Sequence, residues 1–181
     1  MARTKTTPEL VHGSEGSAEW YTPQKVIDLV HELFPGGFHD VASCFEAQQR
    51  VKATIFCDKE RDARKEGTWG PLPVFCNPPG GKTRLTQTFW KELGARFLEG
   101  QFEEAIWLSF SLDTLQTCQD GPVNILDVPT FVPHRRLKYW DPKQQKEVGG
   151  VRPSAITYFG DRLAEFELAC LKMGQGRLIS V

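Results

Sequence analysis

At 181 residues the chain has the length of one domain, large enough to bury roughly two-thirds of the surface it exposes when unfolded. Its 22 basic and 23 acidic residues leave a net charge of −1, so no global basic field advertises nucleic acid and any such surface has to be local. The five cysteines (Cys44, Cys57, Cys76, Cys118 and Cys170) are odd in number and scattered, which argues against a zinc module or a disulfide framework and for reduced thiols.

No signal peptide and no run of about 18 apolar residues is present, so a soluble protein with no membrane partner and no bound metal is expected. Residues 1–18 are small and polar and read as a mobile tail, leaving 19–181 as a single domain. Thr22-Pro23 reads as the cap and first residue of a helix carrying Val26, Ile27, Val30 and Leu33, stopped by Pro35-Gly36-Gly37. Phe38 to Ala42 is a strand ending near Asp40. Phe45 to Ala53 reads as helix, Thr54 to Cys57 as strand and Val74 to Cys76 as strand. Leu85, Phe89, Leu93 and Phe97 recur at helical spacing over 85–98. Strands follow at Ala105 to Phe110 and Ile156 to Phe159, and a helix closes the chain from Ala164 to Met173. Strands alternating with helices predict an α/β fold, a mainly parallel sheet with helices on both faces.

Val74-Phe75-Cys76-Asn77-Pro78-Pro79-Gly80 carries the most information. An apolar strand ends abruptly in two prolines, each of which fixes its own φ and disfavours the α region for the residue before it. Asn77 is therefore held extended at the carboxyl end of a strand, where open α/β sheets bind ligands. Its amide offers one acceptor oxygen and two donor hydrogens, suited to gripping an exocyclic amine. The plainer alternative is that Pro-Pro only turns the chain. Gly81-Lys82-Thr83 invites a phosphate-loop reading, but Cys76 stands where that motif needs its first glycine, and Pro78 and Pro79 remove two N–H donors. An NTPase is disfavoured on both grounds.

Asp40 could accept hydrogen bonds from a ligand's ammonium or hydroxyls, or cap the next helix. Asp58 and Asp62 could contact a ribose or an adenine amine, or be ordinary solvated acids. The segment His134-Arg135-Arg136-Leu137-Lys138-Tyr139-Trp140, continuing through Lys143, Lys146 and Arg152, interleaves cations with aromatics. That suits phosphate contact with base stacking, and equally a solvated surface hairpin.

Together, Glu19-Trp20-Tyr21-Thr22-Pro23, Asp40-Val41-Ala42-Ser43 and Phe75-Cys76-Asn77-Pro78-Pro79 resemble the phage and prophage Dam-type DNA N6-adenine methyltransferases. Lys52 to Phe56, Glu104 to Leu108 and Arg136 to Tyr139 leading to Tyr158-Phe159-Gly160 extend the resemblance over about residues 18–165. Two departures are visible: Gly80 stands where most amino-methyltransferases carry an aromatic, and Cys44-Phe45-Glu46 where typical methyltransferases have glycines.

The resemblance implies a Rossmann-like methyltransferase fold that transfers methyl from S-adenosylmethionine to N6 of a flipped adenine in DNA. It implies a catalytic loop of Asn77, Pro78, Pro79 and Gly80, and a cofactor site of Tyr21, Thr22, Pro23, Asp40, Ala42, Ser43, Asp58, Asp62 and Asn77. DNA contacts would come from Lys82, Arg84, Arg135, Arg136, Lys138 and Tyr139. It further implies a phage- or prophage-encoded protein in the cytoplasm of a bacterial host. A non-catalytic DNA- or cofactor-binding descendant of the fold, and a methyltransferase acting on RNA or protein glutamine, stand as alternatives.

Overall fold

The computed structural model describes residues 21–65, 67–80, 83–150 and 152–179. The expected tail, Glu19-Trp20 and Gly81-Lys82 lie outside them.

Among the described residues there are nine strands: β1 (His39–Asp40), β2 (Ile55–Phe56), β3 (Val74–Cys76), β4 (Ala105–Ser109), β5 (Thr130–Pro133), β6 (Lys138–Asp141), β7 (Lys146–Gly149), β8 (Ala155–Phe159) and β9 (Gly176–Ile179). The helices are α1 (Gln24–Leu33), α2 (Phe45–Val51), α3 (Thr83–Leu98), α4 (Thr114–Thr117) and α5 (Leu163–Met173). Seven strands form one sheet in the order β2-β1-β3-β4-β8-β5-β9, and β6 and β7 form a separate hairpin. The first four strands pair in parallel. β8 opposes β4, β5 opposes β8, and β9 opposes β5, so β5 points the same way as the first four. The α/β sheet is thus mixed, with most of its strands running one way.

That direction matters because it brings the carboxyl ends of β1 to β5 to a single rim. All five residues of β4 and of β8 are buried, as expected of strands covered on both faces. α1 and α5 pack on one face through Val26, Val30, Phe166 and Cys170, over Phe75, Ile106, Phe131 and Ile156. α3 covers the other through Phe89, Trp90 and Leu93, over Val74, Cys76, Ala105 and Trp107. Alternation along β3 and β4 explains the split, since successive side chains point to opposite faces.

β5 and β9 are additions to the elements read from sequence. Pro129 and Pro133 bracket Thr130-Phe131-Val132 and hide the strand, since a proline argues against a strand paired on both sides. The Thr130 and Thr157 hydroxyls meet at 2.9 Å across the β5–β8 pair. Opposite β5, a side chain at Gly176 would meet the Phe131 ring at 2.2 Å, so only glycine fits that register.

At the opposite rim Glu104 gathers three elements. Its carboxylate accepts from the Tyr158 hydroxyl at 2.5 Å and from Arg162 Nε at 2.9 Å, and Arg162 also donates to the Leu33 carbonyl at the end of α1. The Arg162 side chain is 41% exposed, so the ion pair alone contributes under about 1 kcal/mol. Losing the shared acceptor costs more. Glu104→Ala is expected to lower unfolding free energy by about 2 kcal/mol in urea titrations, and an unchanged midpoint would show that these bonds are structurally idle.

Candidate functional site

The site is assembled from the rim inwards. β3 ends at Cys76, and Asn77 follows half-buried, with Pro78 buried and Pro79 and Gly80 exposed. Asn77 Nδ2 donates to Thr22 Oγ1 at 3.1 Å, across 55 residues of chain. Thr22 was expected to cap α1. Instead Pro23 occupies the cap position with no side-chain cap bond, which leaves the buried Thr22 hydroxyl to accept from Asn77. Thr22 takes the donor end of the amide, and the oxygen is the end left to a ligand.

Thr22 is itself held by a latch. Tyr21 and Trp140 exchange both backbone hydrogen bonds at 3.1 Å, joining the β6–β7 hairpin to the start of α1. Arg50 on α2 donates to the Thr22 carbonyl at 3.1 Å and to Gln24 Oε1 at 3.0 Å, with its guanidinium 4.4 Å from the centroid of the Trp140 ring. Neither Arg50 nor the position of Trp140 was legible from the sequence. The basic run supplied the right aromatic but gave no sign that a distant arginine would cover it.

Asp40 ends β1 and is 2% exposed. It does not cap α2, whose cap is Cys44, accepting from the Ala47 N–H at 3.4 Å. Gln48 Nε2 donates to Asp40 Oδ2 at 2.8 Å and to Ser43 Oγ at 2.7 Å, while the Ala53 N–H donates to Gln48 Oε1 at 2.8 Å. The Ala42 N–H donates to Asp40 Oδ1 at 3.3 Å. Burial pushes the Asp40 carboxyl up to about 6, against the opposing hydrogen bonds from Ser43, Ala42 and Gln48. The buried Cys76 thiol is held well above its usual value by burial and by Asp40. Gln48 was missed in the sequence, where the only clue is its place on a helix that starts a few residues after Asp40.

Tyr21 joins this group through its hydroxyl, 3.6 Å from Cys44 Sγ. Tyr21, Thr22, Asp40, Ala42, Ser43 and Asn77 therefore form one connected set. Asp58 and Asp62 hold their recorded bonds outside this set. Asp58 accepts from the N–H groups of Glu60 and Arg61, and Asp62 is paired with Arg64 at 2.7 Å, which holds its carboxyl below the usual range. Phe45, 68% exposed, stands beside the Cys44 cap.

On the basic side, Arg135, Arg136 and Lys138 are exposed, as is Arg84 in the first turn of α3. Tyr139 is corrected from surface to core: it is 0% exposed, bonded to Ser154 Oγ at 2.9 Å and edge-on to Phe110, so it presents no ring face to a base. Strand alternation explains this, since Lys138 faces out and the next residue must face in. A cavity of about 420 Å³ lies between Pro23, Lys25, the 133–138 segment and Met173-Gly174-Gln175, and its lining includes neither Asp40 nor Asn77. Among the described residues no group of His, Cys, Asp and Glu side chains could hold a metal ion, and no helix is long and apolar enough to cross a membrane.

No protein-family model matches the chain, and neither a curated protein nor a solved structure is significantly similar to it. The geometry alone defines the class of site. It is a rim site with an oriented carboxamide, a buried acid that changes charge near pH 6, and a separate cationic cavity.

Because the folded-state value of Asp40 lies above the ordinary 3.8, the folded protein holds this proton more tightly than the unfolded chain. The associated stability is complete below about pH 4 and is lost as pH rises through about 6. Asp40→Asn removes that dependence. Its stability relative to wild type is expected to improve by about 3 kcal/mol between pH 4 and 7.5, from 1.36 kcal/mol per pH unit. Urea unfolding across that range checks it, and a difference that stays constant with pH would refute the buried-acid assignment.

Proposed function

We propose that the chain is an S-adenosylmethionine-dependent DNA methyltransferase acting on adenine N6, built on a Rossmann-like methyltransferase core. The observation that carries the reading is the Asn77–Thr22 hydrogen bond, which orients a carboxamide oxygen at the carboxyl end of a central strand. The resemblance to the Dam-type enzymes had paired Thr22-Pro23 with Asn77-Pro78-Pro79 as parts of one site. Their contact across the sheet supports that pairing. The strand order supports it too: β3 and β4 are central, and a reversed β8 is inserted between β4 and β5.

The residues present fit a cofactor that is cationic at one end. Asp40 is a buried carboxylate at the rim with a lone pair beyond those engaged by Gln48, Ala42 and Ser43, and its ionised form would accept from an ammonium or a ribose hydroxyl. Tyr21, Thr22 and Ser43 surround the same edge. S-adenosylmethionine, when bound, supplies a methyl group on a positively charged sulfur.

The work of the protein is positioning. An adenine amine is a poor nucleophile because its lone pair is delocalised into the ring. The Asn77 side-chain oxygen and the Pro78 carbonyl would each accept one N6 hydrogen, which favours a pyramidal nitrogen whose lone pair is freed from the ring. With the cofactor bound, its sulfonium would supply the methyl group to this nitrogen and leave as the neutral thioether, and the surplus N6 proton would pass to solvent. No covalent enzyme intermediate is needed, and orientation with electrostatic stabilisation supplies the acceleration. Reaching the amine requires the base to leave the duplex, at a cost of a few kcal/mol.

Asn77→Ala is expected to abolish methyl transfer while leaving the dissociation constant for S-adenosylmethionine within a fewfold. Thr22→Val keeps the oxygen but frees the amide to rotate, and should lower kcat about tenfold, the worth of one hydrogen bond. Single-turnover rates alongside calorimetric binding test both. An Asn77→Ala protein with wild-type turnover would remove the catalytic assignment.

A further inference from the structure

The cavity beside the Asn77 cluster has a character of its own. It opens where α1 begins, α5 ends and the chain leaves β5. Lys25, His134, Arg135, Arg136 and Lys138 line it, a concentration of basic residues that a chain of net charge −1 does not produce by average composition. The single carboxylate of the lining, Glu147, accepts from the Gln24 N–H at 3.0 Å and so is held at the start of α1. Lys25 donates to the Met173 carbonyl at 2.8 Å, which fixes its place without neutralising it. Pro23, Pro133, Leu137 and Met173 add apolar surface to the same lining.

We propose that this cavity holds one unpaired deoxynucleotide of the DNA strand, with its phosphate at Arg135, Arg136 and Lys138 and its base and sugar against Pro23, Leu137 and Met173. The inference rests on the methyltransferase reading for the identity of the strand. Three observations lead to it. A cavity of about 420 Å³ has the size of a small-ligand pocket and is far too small for a duplex. Cations for the backbone combined with apolar surface for a base are what single strands require, whereas inorganic phosphate would leave the apolar lining uncovered. Finally, Pro23 lines the cavity and its neighbour Thr22 bonds Asn77, so the cavity adjoins the site of the target base, where a flanking nucleotide would lie.

The test is anisotropy of a fluorescein-labelled single-stranded oligonucleotide, titrated with the full chain over a range of NaCl concentrations. Arg135→Ala/Arg136→Ala changes two exposed side chains and should keep the wild-type melting temperature. It is expected to bind the strand about tenfold more weakly at low salt and to lower the salt slope by about 0.7, the value for the one phosphate contact. Lys91→Gln, on α3 at the other face of the sheet, removes a positive charge away from the cavity and should leave both quantities unchanged. Deoxyadenosine monophosphate should displace the strand where inorganic phosphate at equal ionic strength does not.

Wild-type affinity and slope in the double variant would overturn the proposal, as would equal displacement by phosphate. Methyl transfer separates the two claims. Weakened strand binding by the double variant of a protein that transfers no methyl group sinks the methyltransferase reading alone. Unchanged strand binding beside normal transfer sinks the cavity assignment alone.

Discussion

The hydrogen bond from Asn77 to Thr22 is the constraint around which the rim is organised. Asn77 is stiff because Pro78 and Pro79 follow it, and stiffness alone would leave its amide free to turn end for end. Thr22 settles the orientation by accepting from the nitrogen, and can do so because Pro23 takes over the start of α1. The latch of Tyr21 on Trp140, with Arg50 gripping the Thr22 carbonyl, then holds the threonine against the rim. Segments far apart in sequence are thereby made to agree on the direction of one carbonyl oxygen.

Charge is divided along the same rim. At the β1 end a buried acid sits among hydrogen bonds, its ionisation opposed by burial and favoured by Gln48, Ser43 and the Ala42 N–H. At the β5 end cations gather around a cavity with an apolar lining. A near-neutral chain achieves both by separating them, with Asn77 between, just past the end of β3. On the methyltransferase reading proposed above, such separation would seat a cationic methyl donor at one end and a polyanion at the other. Neither end shows in the net charge.

Local chemistry was legible where one residue type left little choice. The Val74–Cys76 strand is found as read, because an apolar run closed by Pro-Pro has few other conformations. The closing helix and α3 differ from their expected bounds by a residue or two, within the fraying usual at helix ends. The misses share a cause, which is that partners distant in sequence decided them. Thr22 preceding Pro23 has every local mark of a cap, and a partner 55 residues away claimed its hydroxyl. Tyr139 sits in a basic run that reads as surface, and the inward turn of β6 buried it. Asp58 and Asp62, which the sequence left between ligand contacts and ordinary acids, hold bonds within their own loop. β9 carries a glycine whose need becomes visible only once the Phe131 ring is placed beside it.

The central claim is that this rim transfers a methyl group to adenine N6. The most direct measurement is incubation of the full chain with unmethylated DNA and S-adenosylmethionine labelled in its methyl group, followed by digestion of the DNA and chromatography of the nucleosides. The account predicts label in N6-methyl-2′-deoxyadenosine. Label in a cytosine derivative, or DNA without label at saturating cofactor, would contradict it.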